Sequence, residues 1–169
     1  MAIVVLGLSV DLVKGQLLGD APTTTKYGTF TGGFGLAVAI LGLASAFIDA
    51  IPALVVMAAD ALSGLLLLGG GIAFAIGLRG VTCDATNDLE KLKAQYQNVL
   101  INAGAAKVTG ERYMFTHRQM STDRLLSNCK KATADQAMQF VTLGFVISTI
   151  VLLFLVWRNG RGSKGGAYV

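Results

Sequence analysis

Few residues in this chain could carry chemistry. The single histidine, His117, has no nearby partner set for nucleophilic catalysis, and no G-x-S-x-G turn occurs to expose a serine. The run Gly69-Gly70-Gly71 lies within an apolar stretch, where a phosphate-binding loop is physically excluded. What remains is a carboxylate in apolar surroundings and a pair of thiols. Asp60 is the sole charge in the apolar run 53–78, about 12 Å from its start at ~1.5 Å per residue. A carboxylate at that depth costs a few kcal/mol on insertion scales, so it should face the bundle interior and be protonated or find donors. Ser9, Lys14 and Ser45 are the candidate donors on other segments. Asp60 could serve an ion or proton path or clamp helices together, and the scarcity of other polar groups in the apolar runs favours the clamp. Asp11 and Lys14, three apart, fit a local ion pair on one helix face.

The two cysteines flank one polar segment, Cys83 shortly after the third apolar run and Cys129 shortly before the last. A disulfide between them would close a loop whose ends helix packing already brings together, and would persist only in an oxidising compartment. Two free thiols are the alternative. Two cysteines and one histidine are too few for a zinc set, so no metal is expected. No N-x-S/T sequon occurs.

The elements that position these groups follow from composition. The 169 residues are 53% hydrophobic and 14% charged, with a mean hydropathy of +0.61. A soluble domain carries about 25% charge, so an ordinary soluble protein is excluded. Windows of ~20 apolar residues suffice to cross a bilayer, and 30–48, 53–78 and 136–157 qualify. Arg79 closes the second of these with a side chain able to reach the headgroups, and Trp157 followed by Arg158 closes the last as an aromatic anchor with a basic flank. Residues 1–18 are apolar but interrupted by Asp11 and Lys14, which gives a short first span; no basic leader or cleavage site marks a signal peptide. The expected fold is therefore an all-α membrane protein, a four-transmembrane-helix bundle with one long structured loop, 79–135, between helices 3 and 4. Residues 1–157 form the domain and 158–169 a basic tail.

Four spans place both termini on one side, and the basic tail favours the cytoplasm, leaving the loop extracellular. The loop itself holds nine basic residues, which opposes this orientation, but the rule weakens as loops approach ~60 residues and six acidic residues balance it locally. Within the loop, Leu89, Leu92, Tyr96, Val99 and Leu100 recur at helical spacing, which predicts an amphipathic helix over 87–102. Tyr113, Met114, Phe115, Met120, Leu125 and Leu126 suggest a further turn or two of structure.

Glycine, 21 of 169 residues, exceeds the usual ~7% while proline numbers only 2, so the excess belongs to ordered segments rather than linkers. Small residues four apart let helices in lipid approach closely. Gly28 with Gly32, Gly35 with Ala39, and Gly69, Ala73 and Gly77 form such faces. They serve packing within one bundle, association of neighbouring copies, or both.

The segment Ala59-Asp60-Ala61-Leu62, then Gly69-Gly70-Gly71 and the run Ile76-Gly77-Leu78-Arg79-Gly80-Val81-Thr82-Cys83, resembles the third-span region of fungal MARVEL-domain proteins of the non-classical export type. Asn128-Cys129-Lys130-Lys131-Ala132 is similar to that family's approach to its fourth helix, and Leu6-Gly7-Leu8-Ser9 with Lys14-Gly15-Gln16 to its first. Against that family the first helix is shortened and the long loop carries an added basic, amphipathic insert. The resemblance implies a MARVEL-like bundle in the plasma membrane that organises lateral domains such as eisosome-like compartments and responds to lipid composition. Asp60, the Gly69 to Gly71 run, Cys83 and Cys129 carry over, all in structural roles.

The function expected is thus a non-enzymatic membrane scaffold that self-associates laterally as a homo-oligomer, with membrane lipids and other membrane-domain proteins as partners, no nucleic acid, and no cofactor beyond bound lipid or sterol. Two rivals stand beside it: a small oligomeric channel or transporter using Asp60, and an accessory subunit of a larger membrane complex.

Overall fold

The computed structural model describes residues 1–17, 19–45, 47, 52–84, 89–104, 108–109, 112–113 and 121–163. Five helices follow one another: α1 (Ala2–Lys14), α2 (Thr23–Ser45), α3 (Ala53–Gly77), α4 (Leu89–Gln97) and α5 (Thr122–Ser163), with the two-residue strands β1 (Val108–Thr109) and β2 (Arg112–Tyr113) between α4 and α5. The strands pair antiparallel, Val108 opposite Tyr113.

Proline starts two of the long helices. Its fixed φ suits an entry position, where no intrahelical N–H bond is lost. The Pro22 carbonyl accepts from the N–H groups of Thr25 and Lys26, each at 3.0 Å, and the Pro52 carbonyl from Val55 at 2.9 Å. α3 ends at Gly77, and the turn that follows runs to Gly80, whose φ of +78° is a left-handed conformation glycine adopts without a Cβ penalty. α5 begins at Ser121, whose Oγ accepts from the Arg124 N–H at 3.3 Å as an N-cap. Asp123 in its first turn complements the helix dipole.

α1 packs on α2, α2 on α3, α3 on α5, and α5 back on α1, closing a ring of four helices. Among the described residues three helices, α2, α3 and the 122–159 part of α5, are long and apolar enough to cross a membrane. α1 has 13 residues, about 20 Å, short of the ~30 Å hydrocarbon thickness. The first segment, read from sequence as 1–18, is helical only to Lys14 because Gly15 follows and Leu17 already bonds the distant Ala103 carbonyl at 2.9 Å. α2 starts at Thr23 rather than residue 30, since Lys26 is exposed beside Asp20 and does not interrupt the helix.

The largest departure from the sequence reading is α5. At 42 residues it starts well before 136 and runs past Trp157, so 122–135 of the expected loop and 158–163 of the expected tail are helical. Charge marks water exposure, not loop, and here Asp123, Arg124, Lys130 and Lys131 line the outer side of a helix whose inner side is Leu125, Cys129 and Ala132.

Those three residues join Leu12, Phe74, Leu78, Leu100, Ile101 and Ala103 in an apolar core at one end of the ring, flanked by Leu17, Val81, Cys83 and Tyr96. The described residues 81–84 and 89–104 thus form a cap seated on that end. Of the helix expected over 87–102, residues 87–88 lie outside the described residues and α4 ends at Gln97 rather than 102, because Asn98 and Asn102 turn the chain with their side chains. Asn98 Oδ1 accepts from the Leu100 N–H and Asn102 Oδ1 from that of Gly104, each at 2.9 Å. His117, Met114, Phe115, Met120 and the turn residues 49–51 lie outside the described residues.

Candidate functional site

Polar side chains enter the ring at two levels. Nearer the cap, Ser9 of α1, Thr25 of α2, and Asp135 and Gln139 of α5 are all buried. Ser9 Oγ donates a short hydrogen bond to Asp135 Oδ2. The other Asp135 oxygen, the amide of the neighbouring Gln139 and the Thr25 hydroxyl are buried, and none of these atoms has a well-formed hydrogen bond among the described residues. Glycine makes the room. A Cβ at Gly28 would collide with Ser9 Oγ and come within 3.0 Å of Phe74, and one at Gly70 would displace the Gln139 amide. Close contact between α3 and α5 continues at Gly71 under the Phe140 ring, 3.0 Å from a Cβ there, and at Gly64 under Val146 and Leu143.

At the end away from the cap, Asp60 lines an open-sided cleft of about 450 Å³ between α1, α2, α3 and α5. Ser45, Ser63, Thr142 and Thr149 share its wall with apolar side chains. Asp60 is 9% exposed. None of the three donors considered from sequence reaches it: Ser9 serves Asp135, Ser45 Oγ donates to the Gly42 carbonyl at 2.7 Å, and Lys14 is exposed at the end of α1.

Asp11 does not pair with Lys14. Its carboxylate meets Lys131 Nζ of α5 at 2.6 Å, because the ring sets α1 against α5 and Lys131 lies across that contact. Cys83 and Cys129 are joined by a disulfide with Cα atoms 5.5 Å apart, tying the cap to α5. Further bonds seat the cap: Asn98 Nδ2 donates to the Gly77 carbonyl at 2.6 Å, and Asn128 Nδ2 to the Ile101 carbonyl at 3.1 Å.

Of the small-residue faces, Gly28, Gly32 and Gly35 are buried within the molecule, whereas Ala39 and Gly69 remain exposed and Ala73 and Gly77 half-buried. Gly32 receives Leu6, whose backbone N would lie 2.6 Å from an added Cβ, and Gly35 faces Ala2 and Ser63 at 3.3 and 3.5 Å. Ala39 lines the Asp60 cleft. Gly69 lies under the Tyr27 hydroxyl at 3.3 Å, Gly77 is covered by Leu100, and Ala73 between them is half-buried. Arg79 is exposed just beyond α3, Trp157 is half-buried with its ring 6.1 Å from that of Phe154, and Arg158 is exposed on α5.

Sequence alone does not single out Asp135, which ends a stretch that reads as loop, or Gln139, an uncharged residue at the start of the last apolar run. A signal was present: Leu125, Cys129, Ala132, Asp135, Gln139 and Thr142 recur three or four apart and are all buried.

The sequence profile of the MARVEL family, described as a membrane-associating domain, matches residues 1–155. No curated protein and no solved structure matches the chain.

Proposed function

The chain belongs to the MARVEL family of membrane-associating domains, and from that membership we propose that it is a non-enzymatic scaffold of the plasma membrane, of the fungal non-classical export type, which organises lateral domains by self-association. In this reading α1 completes a four-span set with α2, α3 and α5. Both termini are cytoplasmic, and the disulfide-closed cap faces the oxidising exterior.

One observation carries the reading. The apolar stretch of α5 is 6% buried, against 28% in both α2 and α3. In lipid, bare apolar surface gives helices no reason to associate, whereas exposed small residues do, by allowing close backbone approach. Gly144 and Ser148, one turn apart on α5, are both exposed, and a Cβ on Gly144 would meet nothing within 4 Å. We therefore place the contact between copies on α5 rather than on the Gly69, Ala73 and Gly77 face, where Tyr27 and Leu100 pack against the two glycines but leave Gly69 exposed. A fluorescent fusion in intact cells should concentrate in slowly exchanging patches and spread uniformly when Gly144 is replaced by leucine. Uniform, freely diffusing signal from the native chain would overturn the proposal.

A further inference from the structure

The cleft at the end of the ring away from the cap presents a buried carboxylate to open space. Its volume, about 450 Å³, falls within the ~300–1,000 Å³ typical of ligand pockets. Val38, Val56, Phe145 and Leu153 make much of the wall apolar; among the described residues Asp60 is its only charged side chain, and Met1, the chain's amino end, also lines it.

Of the four hydroxyls on the wall, all but that of Ser63 donate to main-chain carbonyls. Ser45 donates to Gly42, Thr142 to Met138 at 2.6 Å and Thr149 to Phe145 at 2.9 Å. Among the described residues no hydrogen bond or ion pair is formed by Asp60. A carboxylate withdrawn from water needs a donor or a counter-charge, and no described side chain is bonded to this one.

We propose that the cleft binds a long-chain amine: a hydrocarbon chain bearing one protonated primary amine and no anionic group, which enters sideways from the bilayer. The ammonium pairs with Asp60, and the chain lies along Val38, Val56, Phe145 and Leu153. Charge complementarity selects this class. A fatty acid would bring a second negative charge to Asp60. A zwitterionic phospholipid adds a phosphate, for which no Lys, Arg or His side chain among the described residues lines the cleft. A fatty alcohol would supply the hydrogen bond without the counter-charge. The cleft is complete within one copy, so binding does not depend on lateral assembly.

The test uses the full chain in phosphatidylcholine nanodiscs with a photoactivatable octadecylamine, cross-linked sites being read by mass spectrometry. Labelling should map to the cleft segments of α2, α3 and α5 and be competed by octadecylamine at least tenfold better than by octadecanol, with stearate ineffective. Asp60→Asn should cut labelling at least tenfold. Gly42→Leu, which extends a side chain into the cleft from a position whose nearest Cβ neighbour is Val56 at 3.9 Å, should do the same with thermal stability unchanged, and it carries the test if Asp60→Asn fails to fold. Equal competition by octadecanol, labelling elsewhere, or full labelling of Gly42→Leu would each overturn the proposal.

Discussion

Ser9 of the first helix and Asp135 of the last, 126 positions apart, share a hydrogen bond inside the ring. Neither group is exposed, so the bond has no competition from water and links α1 directly to α5. Ser9→Ala should strand the second Asp135 oxygen alongside the first, which already lacks a well-formed hydrogen bond among the described residues, at a cost of about 1–3 kcal/mol. Thermal unfolding in detergent should show a midpoint several degrees lower. An unchanged midpoint would mean that the bond does not hold the two helices.

The Asp11–Lys131 pair joins the same two helices but is half-exposed, the Lys131 and Asp11 side chains at 38% and 55%. Exposed pairs contribute about 0–1 kcal/mol, so Lys131→Gln should move the midpoint far less than Ser9→Ala. A double-mutant cycle measures the difference, and coupling above ~1 kcal/mol would show a drier pair than the structure presents.

Glycine positions should divide sharply. Gly32→Ala would set a methyl group against the Leu6 backbone, N at 2.6 Å and Cα at 2.7 Å, and backbone cannot rotate aside. Overpacking of this kind costs about 1–3 kcal/mol. Gly144→Ala, with nothing within 4 Å, should leave unfolding unchanged. Equal thermal shifts for the two would contradict the packing described.

Gly77→Leu should unseat Leu100 and loosen the cap while leaving the number of copies per assembly as it is, because this glycine faces Leu100 and not a neighbouring copy. Faster proteolysis of the 81–104 segment is the readout. A change in assembly size with an intact cap would return the contact to α3.

Breaking the Cys83–Cys129 bond, which spans 46 positions, should cost about 2–4 kcal/mol and open the cap. After reduction of intact cells, a membrane-impermeant thiol reagent should label Cys83 first, since Cys129 is fully buried. Labelling only after permeabilisation would place the cap inside.

Apolar length made α3 legible from sequence, because 53–78 is broken only by Asp60 and bounded by Pro52 and Gly80. α5 was half legible. Its last half is continuous apolar chain, but its first half is an amphipathic helix whose charges face water, and density of charge hid the periodicity of Leu125, Cys129 and Ala132. The polar cluster went unread for the same reason. Asp60 was visible as an oddity, yet its surroundings depend on which helices meet, and the local rule that joined Asp11 to Lys14 could not foresee Lys131 across the ring. Small-residue spacing marked the close approaches at Gly28, Gly32 and Gly35, while spacing alone could not say which glycines the fold would leave exposed.

Lateral assembly through α5 is tested most directly by counting copies in polymer-excised native membrane discs, by stepwise photobleaching of a fluorescent fusion. Several copies per disc are expected for the native chain and one for Gly144→Leu. One copy per disc for the native chain, or the same multiple count for both, would contradict assembly through this helix.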